Sequence, residues 1–246
     1  MKEKISAIVL GSIKHSDRHN VTSVYTREKG RMALLTPAGT SRKGRQSPPR
    51  MLPLGVFEAQ ISTSATRELN LPSSVTPIRI WRSIYYDPLK SSVAFFLSEF
   101  LNKLLRDSPP EPHIWDFIVN STDLFDSDSN APSIANFHIA FLIGMAHLMG
   151  IYPDISDYTE GMEFDMKAGG MVLPFYSLSP KGTRIDAQRS SILPKILRMN
   201  FMNSRVFKFS GKERSELLDY ILKYFGCHFP GCDNLKSLEV LKEIFY

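Results

Sequence analysis

The basic side chains in the first third of this chain have the types and spacing best suited to contacting a ligand. Residues 1–82 hold 14 Lys or Arg against 5 Asp or Glu, whereas residues 83–246 hold 16 against 20. Neutralising phosphates requires several Lys or Arg held along one groove, and the free energy comes from released counterions. The asymmetry predicts a basic module for nucleic acid or another anionic surface, joined to a module with a different role.

The candidate nucleic-acid-binding residues occupy predicted turns, one long loop and a late strand of the basic segment. They are Lys14, Arg18, Arg27, Lys29, Arg31, Arg42, Lys43, Arg45, Arg79 and Arg82. Three aromatic residues, Tyr25, Phe57 and Trp81, could stack on bases as in single-strand binders. Each of these aromatics, taken singly, is better explained as a residue of the hydrophobic core.

Other patterns that could suggest a metal site or catalysis are incomplete. Cys227, His228 and Cys232 would need a fourth ligand, and their spacing is loose for structural zinc, so a helix end with two reduced thiols fits better. The acidic stretch 123–130 lacks the glycine and glutamate of a calcium loop. The stretch 38–46 lacks the Gly-Lys-Ser/Thr end of a P-loop. We expect no metal, no cofactor and no catalytic residue.

An enzyme whose site is assembled from distant residues stays an alternative, and metal-dependent turnover would reveal it. The composition is globular, with 43% hydrophobic residues, and two cysteines are too few for a disulfide framework. The first residues do not form a signal peptide. The longest apolar stretch, 137–149, is too short to span a bilayer. We therefore expect a soluble, cytosolic protein.

Alternating and β-branched runs predict five strands and a small barrel, closed or partly open, within residues 1–84. The predicted strands are 4–13, 21–26, 32–36, 54–63 and 77–86. The tight turn 27–30 ends in Gly30, which is free to take a positive φ. The segment 37–53 has no predicted structure, and a loop of that length within a compact domain is usually functional or disordered.

The hydrophobic period changes from 2 to 3.6 at residues 83–88, and this predicts a domain boundary between residues 84 and 85. Residues 85–246 should form a helical domain with a small irregular hairpin insert at about 152–182, around Gly169-Gly170. The first predicted helix begins at Pro88, and the later ones cover 113–125, 132–149, 187–202, 212–225 and 235–245. Pro194 could kink or restart the helix predicted over 187–202. The fold class is therefore α+β, a β-barrel followed by helices.

At this point residues 5–45 resemble the N-terminal segment of the RecO family of bacterial DNA repair proteins. The first strand ends in the turn Ser16-Asp17-Arg18, the second ends in Thr26-Arg27-Glu28-Lys29-Gly30, and the third leads to the basic segment 39–43. The stretch 150–155, GIYPDI, matches more loosely. The resemblance covers the whole chain in layout. Many members carry four cysteines for structural zinc after that stretch, but 152–176 has none, so we expect no zinc there.

The resemblance implies an OB-fold barrel followed by a helical domain, and a recombination mediator without catalysis. Such a protein would bind single- and double-stranded DNA, anneal strands, act with RecR and help RecA displace single-stranded DNA-binding protein. It would be cytoplasmic and nucleoid-associated. An OB-fold RNA-binding protein unrelated to recombination is the alternative.

The resemblance to the RecO family also implies a pocket on the helical domain that receives the acidic C-terminal tail of single-stranded DNA-binding protein. The basic candidates for its rim are Lys195, Arg198 and Arg205. A tail with an anionic end and an aromatic anchor would require such a pocket.

Overall fold

The computed structural model describes residues 2–38, 51–62, 69–176 and 179–245. Arg42, Lys43 and Arg45, predicted to bind nucleic acid, lie outside these residues. The chain divides into two compact units, Met1–Ser127 and Asp128–Tyr246. The first compact unit thus contains two helices as well as the sheet. The domain boundary between residues 84 and 85 stays a prediction.

The first unit contains a five-stranded antiparallel sheet in the order β3-β2-β1-β4-β5. Its strands are β1 Lys2–Lys14, β2 His19–Thr26, β3 Gly30–Pro37, β4 Val56–Ser62 and β5 Pro72–Arg79. Four of the five predicted strands overlap these elements closely, because alternation with period 2 between turn residues is a local signal. Helices follow the sheet, which confirms the predicted α+β class.

The sheet curls toward closure on its two outer strands. Asn70, just before β5, forms a parallel bridge with Leu34 of β3. The Leu35 N–H donates to the Asn70 carbonyl at 2.9 Å. Alternate side chains of the strands fill the interior with one apolar cluster: Ile5, Ala7, Val9, Val24, Leu34, Phe57, Ala59 and Ile61. The result is a partly open barrel with OB-like connectivity.

The predicted fifth strand at 77–86 was misplaced. The strand ends at Arg79, and the residues after it form turns that lead to the first helix. Trp81 and Ile84 are buried in that connection. The alternation of PIRIWRSIYY therefore reflects a strand end followed by a packed turn, two situations that sequence periodicity alone does not separate.

Two helices complete the first unit, α1 Pro88–Leu104 and α2 Pro112–Ser127. The Asp87 carboxylate caps α1 by accepting the N–H groups of Leu89 and Lys90. Pro88 at the first turn suits a helix start, because its missing N–H has no intrahelical acceptor there. α1 packs against β1, and the segment between the helices reaches the turn between β2 and β3.

The second unit is built around α3 Ala131–Leu148, which is buried on most sides. A small sheet follows, β6 Glu163–Asp165, β7 Gly170–Val172 and β8 Arg184–Ile185, in the order β7-β6-β8. The predicted hairpin around Gly169 is confirmed. The later helices are α4 Ala187–Ser190, α5 Leu193–Ile196, α6 Gly211–His228 and α7 Ser237–Phe245.

The helix predicted over 187–202 is divided into two short helices, and it restarts at Pro194 as the sequence allowed. α4 ends at Ser190, and α5 restarts with Pro194 in its first turn. Proline has no N–H to continue the hydrogen-bond ladder, so the chain begins a new short helix there. Beyond α5 a short 3-10 turn, Ser204–Val206, replaces further α-helix.

α3 is long and apolar enough to cross a membrane by length and composition. However, 67% of its most apolar window is buried within the structure. Asn136 on this helix donates to the carbonyls of Ser204 and Phe207. Such burial and internal hydrogen bonding are those of a central helix in a packed bundle.

Candidate nucleic-acid interface

The turn between β1 and β2 carries basic residues that are free to meet a ligand. The Ser16 hydroxyl accepts the N–H groups of Arg18 and His19, which shapes the turn. The Arg18 side chain is exposed and forms no ion pair among the described residues. The Lys14 ammonium lies 2.9 Å from the Asp17 carboxylate, but that carboxylate is 96% exposed. An ion pair this exposed to solvent contributes little to stability, so a phosphate can readily replace the Asp17 carboxylate as the partner of Lys14.

The end of β3, which precedes Arg42, Lys43 and Arg45 in the chain, lies beside this turn. The N–H of Ala38, at the end of β3, donates to the Arg18 carbonyl at 2.9 Å. In the β2–β3 ladder, His19 is paired with Pro37. The three basic residues therefore follow directly, in the chain, from a point next to Arg18. We call the turn 14–18 with the end of β3 the open end of the barrel.

The turn between β2 and β3 lies at the other end of β2, roughly 25 Å away for an eight-residue strand. Here the basic side chains are used within the molecule. Arg27 lies 3.6 Å from Asp116 of α2, and Lys29 lies 2.5 Å from Glu3 of β1. We call this region, with the segment 105–111 that packs on it, the covered end. The structure therefore separates the predicted residues of these two turns into an exposed group and an internally paired group.

Arg31 at the covered end has a structural role, because its hydrogen bonds connect the barrel to α1. Its guanidinium donates to the Met32 carbonyl, to the Ser23 hydroxyl at 2.9 Å and to the Asn102 side chain of α1 at 2.8 Å. Burial lowers the pKa of Arg31 from its ordinary value, and the nearby Arg106 lowers it further. Even so, an arginine stays charged at neutral pH. Its hydrogen bonds join the barrel to α1.

Gly30 and Tyr25 show how closely the covered end is packed. A Cβ on Gly30 would lie 2.5 Å from the Ser108 carbonyl oxygen, and the residue has a φ of +70°. The Tyr25 hydroxyl donates to the Pro109 carbonyl and accepts the Glu111 N–H, each at 3.0 Å. Burial raises the pKa of this phenol. Nothing of this packing could be read from local sequence.

Tyr25, Phe57 and Trp81 are each at most 4% exposed. The structure thus supports the core interpretation of all three. The Trp81 indole N–H donates to the Leu54 carbonyl at 3.0 Å, which satisfies its one buried donor. None of them is placed to stack on a base.

Arg79 and Arg82 border a groove on the β5 side of the barrel. Arg79 lies 3.5 Å from Asp123 in a half-exposed ion pair. The Arg82 side chain is exposed and forms no ion pair within the described part of the chain, although its backbone N–H donates to Asp126. The groove has a volume of about 530 Å³, and its lining includes Met51, Ile80 and Tyr86.

Asp126 holds the turn that forms one wall of this groove. Its carboxylate accepts the backbone N–H groups of Arg82, Ser83 and Ile84 at 2.7–2.9 Å. Burial alone would raise the pKa of Asp126, but these hydrogen bonds outweigh it and the net pKa is lowered. The buried ammonium of Lys90 donates to the Ser83 hydroxyl and to the Asp126 carbonyl. The wall is therefore rigidly supported.

Tyr86 is the groove residue that sequence reasoning missed. It is 86% exposed, whereas the neighbouring Tyr85 donates its hydroxyl to the Pro53 carbonyl. In the sequence the two tyrosines are adjacent and indistinguishable. Only the packing of the turn against residues 52–55 makes Tyr85 the hydrogen-bonded ring and Tyr86 the exposed one.

In the second unit, two of the three predicted partner-binding residues come together. Lys195 and Arg198 line an open pocket of about 540 Å³, with Pro194, Val206 and Phe207 among its apolar lining. Arg205 is exposed in the adjacent 3-10 turn and is not among the lining residues. Cations around a small apolar floor match an anionic chain end with an apolar anchor.

The described residues contain no group of three or more His, Cys, Asp or Glu that could hold a metal ion. Cys227 and Cys232 are not joined in a disulfide, and the second of them is buried. Burial raises the pKa of the Cys227 thiol, which disfavours the thiolate that binds metals. The His228 ring, in the last residue of α6, is hydrogen-bonded to the Met166 carbonyl.

A partly open five-stranded barrel followed by a helical bundle defines the class of OB-fold proteins with an appended helical domain. Two family models match the chain: Recombination protein O N terminal over residues 1–81, and Recombination protein O C terminal over residues 85–239. The chain therefore belongs to the RecO family of DNA repair proteins. Its role lies in DNA repair and recombination.

Relatives with this description match the chain from end to end. The DNA repair protein RecO of Phocaeicola vulgatus is 32% identical over 246 residues, with 100% of both chains covered. That of Bacteroides fragilis is 31% identical over 247 residues with the same coverage. That of Flavobacterium psychrophilum is 29% identical over 246 residues, again across both full chains.

Proposed function

We propose that this protein is a DNA-binding recombination mediator that acts without catalysis. It binds single- and double-stranded DNA, engages single-stranded DNA-binding protein, acts with RecR and helps RecA to load; it also anneals complementary strands. A protein with this role works in the cytoplasm, on the nucleoid. Membership of the RecO family supports the repair role, and the open end of the barrel supports the DNA contact.

The observation that carries the DNA contact is the position of Arg18 and Lys14. They occupy one turn, exposed, with at most a solvent-open acidic neighbour. The basic segment with Arg42, Lys43 and Arg45 follows in the chain from the residue hydrogen-bonded to Arg18. Loops at one end of an OB barrel are a common place for oligonucleotides to bind. Arg27, Lys29, Arg31 and Arg79 are secondary candidates because each already has an intramolecular partner.

The mechanism that follows is electrostatic. Lys and Arg at the open end neutralise phosphates and release counterions, which lowers the repulsion between two DNA strands. Two complementary strands can then approach and pair without ATP. The same neutralisation holds a single strand while another protein is displaced from it.

The test is fluorescence anisotropy of a labelled single-stranded DNA oligonucleotide, titrated across a salt series. The wild type should bind, and its affinity should fall with salt at a slope of roughly −0.7 per phosphate contact. Changing Arg42, Lys43 and Arg45 together to Ala should weaken binding and make the slope shallower by about 2 if all three contact phosphates. A wild type that prefers RNA of the same sequence would favour the RNA-binding alternative, and one that binds neither would refute the proposal.

For the partner contact, we propose that the pocket with Lys195 and Arg198 receives the acidic C-terminal tail of single-stranded DNA-binding protein. Its two cations face the anionic chain end, and Val206 and Phe207 supply apolar surface. Val206 is 66% exposed, so apolar area is available for burial. Arg205 would add charge at the edge of the pocket.

Binding of a peptide with that tail sequence tests the contact by calorimetry. Changing Lys195 and Arg198 to Ala should weaken binding about tenfold or more, because charge-assisted hydrogen bonds are lost. Lys181→Ala is the matched control, since Lys181 is exposed in the same unit and does not line the pocket. Equal losses in the control and the double variant would refute this pocket.

A further inference from the structure

The groove beside β5 has the composition of a site for an unpaired base. Its lining is apolar and aromatic over most of its surface, and the two charged residues that line it, Arg79 and Arg82, are both basic. No acidic residue is among the described residues that line it. Its volume of about 530 Å³ lies within the range of about 300–1,000 Å³ typical of sites for small organic groups.

The groove is held in shape by hydrogen bonds from both of its walls. The Trp81 indole donates to the Leu54 carbonyl at 3.0 Å, and the Tyr85 hydroxyl donates to the Pro53 carbonyl at 3.1 Å. Leu54 itself is buried with a φ of +59°, a conformation rare for a leucine. A preorganised groove loses less conformational entropy when it takes up a ligand.

The ring of Tyr86 forms no aromatic contact and no hydrogen bond with the described residues of the groove. The side chain is 86% exposed, and the nearby Ile80 is 78% exposed. Large apolar side chains exposed together mark a surface that meets a partner. With Arg82 beside them, they offer a flat ring for a base and a cation for the phosphate that follows it. Aromatic stacking combined with a basic groove is the chemistry by which proteins hold single-stranded nucleic acid.

We propose that this groove is a base-stacking subsite for single-stranded nucleic acid, in which Tyr86 stacks on an unpaired base and Arg82 contacts the adjacent phosphate. This inference rests on the proposed DNA-binding function and deepens it. The open end would hold phosphates of any strand, whereas the groove would accept only bases that are not paired. The protein would then distinguish a single strand from a duplex by stacking, since charge alone does not.

The experiment compares five proteins: wild type, Tyr86→Ala, Tyr86→Phe, Arg82→Ala and Tyr176→Ala. Tyr176 is 79% exposed in the second unit and does not line the groove, so its substitution is a matched control. Each protein is titrated against a labelled single strand, a duplex of equal length and a single strand that contains 2-aminopurine. Truncating an exposed tyrosine should leave the fold intact, and a thermal melt checks this.

Tyr86→Ala should lower single-strand affinity by about tenfold, with the salt slope and the duplex affinity unchanged, because a stacked base is lost but no phosphate contact. Tyr86→Phe should bind like the wild type, and Tyr176→Ala likewise. The 2-aminopurine signal should change on binding to the wild type and not to Tyr86→Ala. Arg82→Ala should make the salt slope shallower by about 0.7.

Three results would overturn the inference. Tyr86→Ala could bind single strands like the wild type, it could lose single strand and duplex equally, or it could lose only the capture of a protein partner, which would make the groove a protein-docking site. In each of these cases, weaker DNA binding by the variant with Arg42, Lys43 and Arg45 changed to Ala would still support the proposed function. A wild type that binds no DNA would overturn both.

Discussion

The two ends of the barrel carry similar basic side chains but use them differently. At the covered end, Arg27, Lys29 and Arg31 find partners in α2, β1 and α1. At the open end, Arg18 has no ion-pair partner among the described residues, and Lys14 has only a solvent-exposed one. A cation with internal hydrogen bonds must give them up to bind a phosphate, whereas an unpaired cation exchanges only water and counterions. Charge in the sequence is therefore a poor guide to a site unless the partners are known.

The covered end should be the more sensitive to packing changes. Gly30→Ala would add a Cβ 2.5 Å from a backbone oxygen, at a φ of +70°. We expect a loss of about 2–4 kcal/mol in the free energy of unfolding of the first unit, measured by urea denaturation. Gly150→Ala is the control, because Gly150 has a φ of +71° and no atom within 4 Å of its Cβ position. The control should lose only about 1 kcal/mol in the free energy of unfolding, which is the cost of placing an alanine at a positive φ.

Substituting one arginine at each end compares structural and binding roles directly. Arg31→Ala leaves the Asn102 and Ser23 side chains without a donor and should lower the free energy of unfolding by about 1–3 kcal/mol. Arg18→Ala should change it by less than about 0.5 kcal/mol, as is usual for exposed sites. Thermal melts measure both. Equal destabilisation by the two variants would contradict the division between the ends.

Substitutions at the open end should affect DNA binding more than substitutions at the covered end, which is the reverse of their effects on stability. Changing Lys14 and Arg18 together to Ala should make the salt slope on single strands shallower by about 1.4, the equivalent of two phosphate contacts. Changing Arg27 and Lys29 together removes the same charge from the covered end and should alter the slope less. Anisotropy titrations at four salt concentrations measure this difference. If the second pair alters the slope more, the DNA path crosses the covered end instead.

The smallest effect is expected from the acidic neighbour at the open end. Asp17 lies 2.9 Å from the Lys14 ammonium and competes with phosphate for it. Asp17→Asn should therefore tighten DNA binding by about twofold at low salt, and the gain should vanish at high salt through screening. Glu3→Gln at the covered end is the comparison, and it should leave DNA affinity unchanged. A gain in both variants would indicate a general effect of net charge.

Much of the barrel was predictable because its signals are local. The alternation of apolar residues placed four strands, and the turn before Gly30 required a positive φ that the structure shows. The helical restart at Pro194 was also predictable, since proline lacks the N–H that a continuing helix needs. The fifth strand was misplaced because Trp81 and Ile84 continue the apolar alternation while packing in a turn.

The candidate sites could be predicted only in part. Of the three basic residues predicted at the rim of a partner pocket, Lys195 and Arg198 line one pocket and Arg205 does not. The exposed ring of Tyr86 was not expected, because the partial burial of Tyr85 and the exposure of Tyr86 depend on what the turn packs against. Aromatic residues that sequence composition suggested for stacking turned out to fill the barrel.

By itself the sequence determined the order of strands and helices, the excess of positive charge in the first 82 residues and the family. These depend on residue type and short-range spacing. Only the tertiary structure decided which positive charges remain free. Asp116 and Asn102 reach Arg27 and Arg31 from helices far along the chain, and such long-range pairing leaves no trace in local sequence. Folding brings those partners to one end of the barrel and leaves Arg18 exposed, without an ion pair among the described residues, at the other end.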